Sequence, residues 1–131
     1  MTDKELRHAL LESFPNAYLI IRDTAYRVPA LEEVKRLLKE TFIEEYQYRA
    51  NSFDCDDYAL ILDAFVKQEG YKQGWSLPWT FGQVYGVFPD YSPEFHARNI
   101  ILTTDGLYLI EPQLDEVRGI NVQDVINICW M

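Results

Sequence analysis

Cys55 lies in the segment Asn51-Ser52-Phe53-Asp54-Cys55-Asp56-Asp57-Tyr58-Ala59, where a thiol stands at the expected start of a helix. The first turn of a helix offers unpaired backbone N–H groups and the positive end of the macrodipole, both of which favour an anion. A thiolate is the nucleophilic form of cysteine, so this address suits nucleophilic chemistry. A second reading stands beside it: a small buried thiol beneath a cap formed by Ser52 or Asp54. The chain has two histidines, His8 among the charges of an N-terminal helix and His96 at the start of a strand. His96 is therefore the candidate base for Cys55. Glu111, near the end of the next apolar strand, is the candidate carboxylate to orient the imidazole, although an acid at a strand end also suits plain solvation.

The spacing between His96 and Glu111 can be tested against strand geometry. The segments 95–102 and 107–112 flank Thr103-Thr104-Asp105-Gly106, whose Asp-Gly pair tolerates positive φ, so a hairpin is expected. A four-residue loop sets Leu102 opposite Leu107 and Arg98 opposite Glu111. His96 is then diagonal to Glu111 on the same face, about 7–8 Å between backbones, a gap that a long carboxylate closes. A two-residue Asp-Gly turn would part the pair by roughly 13 Å along the strand at about 3.3 Å per residue. Arg98, facing Glu111, would compete with His96 for that carboxylate.

These residues need a scaffold. Residues 2–13 carry Leu6, Leu10 and Leu11 at helical spacing, and 17–27 read as a short strand with an irregular approach to Pro29. Leu31, Val34, Leu37, Leu38 and Phe42 predict a helix over 29–46, and Leu60, Ile61, Ala64 and Phe65 predict another over 55–69, ended by Gly70. After a loop over 71–78, the pattern turns to strands at 80–88, 95–103, 107–112 and 125–130. Helices first and strands later is the α+β signature, here helices packed on an antiparallel sheet, in one domain over residues 1–131. The run Trp75-Ser76-Leu77-Pro78-Trp79-Thr80-Phe81 reads as loop packing before a substrate wall, and Cys129 reads as structural.

With 48% hydrophobic and 15% aromatic residues the chain can bury a core, and its net charge of -9 argues against nucleic acid as a partner. Neither cysteine sits in a CxxC pair. No membrane partner is expected, since no apolar run approaches the roughly 20 residues of a span. The N-terminus lacks the apolar core of a signal peptide, so a cytoplasmic protein is expected.

The order Cys, His, carboxylate, with Cys at a helix start and the others on neighbouring strands, resembles the papain-like and transglutaminase-like cysteine peptidase superfamily. Asp54-Cys55-Asp56-Asp57-Tyr58-Ala59 resembles the nucleophile motif of the bacterial transglutaminase-like cysteine peptidases. His96-Ala97-Arg98-Asn99, Gly106 and Glu111-Pro112 resemble the remaining blocks, with Glu where the bacterial proteins usually have Asp. The spacing is also similar to the papain-like protease domain of a fungal mushroom agglutinin. The resemblance implies a papain-like/transglutaminase-like minimal core and a cysteine peptidase or acyl-transfer enzyme acting on a protein or peptide amide. It also implies an oxyanion hole made by the Cys55 N–H with Asn51 or Gln47.

Asp54, Asp56 and Asp57 crowd a sulfur whose reactive form is itself an anion. A bound cation would remove that conflict, and the resemblance implies Ca²⁺ on Asp54 and Asp56, with Asp57 a third carboxylate for a hard ion. The same residues would also serve simply to cap the helix and complement its dipole. From a different class, a catalytically silent, acidic protein-binding module, an inhibitor or adaptor, fits the same scaffold.

Overall fold

Alternating apolar side chains on the central strands give this fold a sheet with two buried faces. The computed structural model describes residues 1–131. Its helices are α1 (Asp3–Ser13), α2 (Leu31–Leu38) and α3 (Cys55–Gln73), with a short 3-10 turn at Ile43–Glu45. Its strands are β1 (Tyr18–Ile20), β2 (Phe81–Phe88), β3 (Ser92–Thr103), β4 (Gly106–Glu111), β5 (Glu116–Gly119) and β6 (Val125–Trp130). They form one sheet in the order β1-β6-β2-β3-β4-β5. The β1–β6 pair is parallel and the other pairs are antiparallel.

Neighbouring residues on a strand point to opposite faces, and this splits the core in two. Ile100, Leu109, Val84 and Cys129 pack with Leu6, Leu10 and Phe14 of the N-terminal segment. Ile101, Ile110 and Phe81 pack with Val34 and Leu37 of α2 and with Tyr58, Leu62 and Val66 of α3. The helix α1 opens on a capping box in which the Glu5 N–H donates to Thr2 Oγ1 at 3.2 Å and the Thr2 N–H to Glu5 Oε2 at 3.0 Å.

The expected α+β segregation, a papain-like/transglutaminase-like minimal core with helices ahead of an antiparallel sheet, is corrected on two counts. Tyr18–Ile20 lies between α1 and α2, yet joins the sheet through a parallel pairing with β6, Tyr18 opposite Ile128 and Ile20 opposite Trp130. At the other edge β5 adds a further antiparallel strand that the charged sequence Glu116-Val117-Arg118-Gly119 does not announce. The fold is a six-stranded sheet dressed with three helices.

Two helix ends also differ from expectation. The helix α2 stops at Leu38, well before residue 46. In α3, Gly70 is an interior residue: a Cβ there would lie 2.6 Å from Trp75 Cε3, so glycine lets the Trp75 ring lie against the helix. The actual stop is Gly74, at φ 70, a left-handed cap that suits glycine. No helix is long and apolar enough to cross a membrane.

Candidate functional site

The register of β3 on β4 places the acid. Leu102 pairs with Leu107 and Asn99 with Ile110, so the ladder extends toward Arg98 opposite Glu111, and Thr104-Asp105 forms the turn. His96 is thereby diagonal to Glu111, and its Nε2 lies 2.7 Å from Glu111 Oε2. Both residues are buried, at 6% and 3% exposure. On the other side His96 pairs with Gly86 of β2, where a Cβ would strike the Val125 carbonyl oxygen at 1.9 Å. Glycine there lets β6 close tightly on β2 beside the site.

Cys55 is the first residue of α3 and is half-buried. With Nε2 taken by Glu111, Nδ1 is the ring nitrogen left for the thiol. Burial pulls the imidazole pKa down, but hydrogen bonding to Cys55 and Glu111, aided by their charges, outweighs it and carries His96 up to about 9. Burial pushes the Glu111 carboxyl up, and hydrogen bonds from His96 and Arg98 reverse this and hold it below the usual range. Near neutral pH the ring is therefore the cation of a buried pair with the Glu111 carboxylate.

Tyr91 stacks on the ring, centroids 4.2 Å apart and planes 18° from parallel, while Phe88 meets it edge-on at 6.3 Å. Cys55 and His96 open into a cleft of 400 Å³ walled by Tyr48, Tyr91 and Phe95, with Glu94 and Gln113 as polar lining. Tyr91 and Gln113 carried no periodic or motif signal. The nearest clue was position: Tyr91 lies in the β2–β3 connection, and Gln113 two residues beyond Glu111.

The structure brings Cys55, His96 and Glu111 together and leaves the two expected amides outside. Gln47 and Asn51 are exposed in the loop before α3, Asn51 at φ 62, and that loop contributes Tyr48 to the cleft instead. Oxygen atoms of Asp54, Asp56 and Asp57 converge within 4.8 Å of one another. Asp57 Oδ2 also accepts the Asp54 N–H at 3.0 Å, so one of the three doubles as a cap. Hydrogen bonding with Asp56, then desolvation and the Asp56 charge, raise the Asp54 carboxyl above its ordinary value. Crowding of that kind is what a hard, oxygen-ligated cation relieves. Cys129 is wholly buried, and burial pushes its thiol up to about 12.

No protein-family model and no curated protein matches the chain. Solved structures share its fold. One is described as a "PSL1a-E64 complex": TM-score 0.85, 16% identity, covering 100% of this chain and 50% of that one. Another is of a Polyporus squamosus lectin bound to the human-type influenza-binding epitope Neu5Aca2-6Galb1-4GlcNAc: TM-score 0.82, 16% identity, covering 100% of this chain and 49% of that one. The chain thus spans about half the length of each structure.

These findings correct the reading taken from sequence. The fold is shared with chains one of which is described as a lectin, and neither description names a peptidase. The papain-like/transglutaminase-like membership is withdrawn, and with it the hydrolase and thiol-protease assignment, the acyl-transfer activity and the protein or peptide substrate. The acidic protein-binding alternative is likewise corrected, since the lectin of like fold is described with a glycan epitope bound and not a protein.

Proposed function

We propose that this chain is a lectin-like ligand-binding module whose cleft over Cys55 seats a saccharide and holds an activated thiol at its floor. The observation that carries this reading is the cleft itself. Aromatic faces at Tyr48, Tyr91 and Phe95 stand beside hydrogen-bonding groups at Glu94 and Gln113, the mixture of apolar wall and few polar groups that orients a small ligand. The saccharide class comes from the ligand named for the lectin of like fold.

At the cleft floor, Cys55 is the nucleophile of this reading, His96 its proton partner, and Glu111 the group that orients and charge-pairs the imidazole ring. Towards a soft electrophile such as iodoacetamide, the sulfur forms the S–C bond while iodide leaves with the C–I pair. Asp54, Asp56 and Asp57 would hold a Ca²⁺ ion at the rim and balance the negative charge around the sulfur. Two free thiols suit a reducing, cytoplasmic setting.

A glycan array probed with the intact chain tests the ligand class, and prior carboxamidomethylation of Cys55 tests the seat. Binding of a sialylated or other glycan that is lost on alkylation supports the reading. Absence of binding to every glycan sinks the saccharide, and binding untouched by alkylation moves the seat away from Cys55.

A further inference from the structure

Glu111 has a second buried partner besides His96. The Arg98 Nε–H donates to Glu111 Oε2 at 2.9 Å, the same oxygen that meets His96 Nε2 at 2.7 Å. Arg98 is 3% exposed, and its guanidinium carbon lies 4.9 Å over the Phe88 ring and 5.4 Å over the Tyr91 ring. Those rings are the two that contact His96, so the imidazole and the guanidinium share one aromatic setting.

The guanidinium is itself held from behind. Its Nη1 reaches Asp90 Oδ1 at 3.4 Å, and Asp90 is gripped by Arg118 through Nε at 3.0 Å and Nη2 at 2.7 Å. Arg118 also makes a two-pronged pair with Asp124, at 2.8 and 2.9 Å, and the Asp124 side chain is 1% exposed. An ordered chain of alternating charges therefore runs Glu111, Arg98, Asp90, Arg118, Asp124. It ties β3 and β4 to the β2–β3 connection and to β5, and lines a recess of 200 Å³ behind Glu111.

A planar guanidinium with fixed N–H directions dictates where its acceptor sits, as a flexible ammonium does not. A carboxylate pinned by one fixed donor on Oε2 presents the remaining lone-pair directions of that atom to a second donor, and His96 occupies them.

We propose that Arg98 is a positioning residue of this site: braced by the Asp90–Arg118 pair, it pins Glu111 Oε2 as a charged acceptor at His96 Nε2, and so leaves Nδ1 to face Cys55. This inference rests on the sulfur–imidazole–carboxylate reading above. Arg98 does not touch a ligand in the cleft; it acts through Glu111.

The test compares wild type, Arg98→Lys and Arg98→Met by iodoacetamide alkylation of Cys55 and by ¹⁵N NMR of the His96 ring. Wild-type Cys55 is expected to label much faster than an ordinary free thiol, with the His96 Nε2–H signal of a strong hydrogen bond. Arg98→Met should slow labelling by about tenfold to a hundredfold, the worth of one hydrogen bond to a charged group, and lose that signal while keeping a cooperative melt. Arg98→Lys should recover part of both. Unchanged labelling and an unchanged ring signal in Arg98→Met overturn the positioning role and leave the thiol reading standing. Equal slowing in both variants with a collapsed melt assigns Arg98 to the core alone and also overturns it. Wild-type labelling no faster than a free thiol overturns the underlying reading instead.

Discussion

Replacing Glu111 with Gln keeps the shape of the side chain and removes its charge. In the native site the carboxylate and Cys55 together carry the His96 imidazole from 6.5 to about 9 against burial. At about 1.36 kcal/mol per tenfold, this rise corresponds to about 3 kcal/mol of net preference for the charged ring. A group whose folded pKa is raised contributes stability that is fully present below the unfolded value and is lost as pH climbs through the folded one. The His96 contribution is thus complete below 6.5 and gone above about 9. In Glu111→Gln the buried ring keeps its desolvation, faces an Arg98 cation no longer balanced by the Glu111 charge and retains only Cys55 in its favour. Its titration midpoint should fall to the ordinary value or below, and the stability decline between those pH values should vanish from urea unfolding curves. An NMR titration of the His96 Cε1–H gives the midpoint directly. A midpoint near 9 in the variant, or the same pH slope of stability in both proteins, would refute the assignment of Glu111 as the ring's charge partner.

Three further outcomes follow from particular contacts. In the native protein iodoacetamide at about pH 6 should label Cys55 alone, with Cys129 reacting only on unfolding, as read by peptide mass spectrometry; equal slow labelling of both thiols would count against an activated Cys55. Gly70→Ala sets a methyl 2.6 Å from Trp75 Cε3, so overpacking of about 1–3 kcal/mol should exceed the gain of up to about 1 kcal/mol in helix propensity, and the urea midpoint should fall. Millimolar Ca²⁺ should raise the melting temperature of wild type and not that of Asp56→Asn; identical shifts in both would remove the cation from the Asp54, Asp56 and Asp57 cluster.

The parts of the fold legible in sequence are those set by local physics. The β3–β4 register follows from period-2 alternation around a short turn, because a one-residue slip would send Ile101 and Ile110 to the wrong face. The start of α3 at Cys55 follows from the break in periodicity and the acidic first turn. What sequence could not show depends on distant partners. The strand at Tyr18–Ile20 was readable, but its parallel place beside β6, more than a hundred residues later, was not. Glu116–Gly119 is a short edge strand whose Arg118 is taken up by the Asp90 and Asp124 pairs, so its alternation is hidden. Gly70 reads as a helix stop unless the Trp75 ring against it is known. In the site, Tyr91 and Gln113 come from connections, where no periodicity marks a residue as functional. Fold kinship was the least legible: the residues that suggested a peptidase superfamily sit on a scaffold shared with chains of which one is described as a lectin.

The most direct test of the central claim is the alkylation rate of Cys55 in wild type against His96→Ala, measured at one pH near neutrality with free glutathione as the reference thiol. The account predicts that the variant, which keeps the helix α3 and loses only the ring, reacts at least about tenfold more slowly. Equal rates in the two proteins would mean that the thiol owes nothing to the imidazole, and the proposed row would be three neighbours without a shared function.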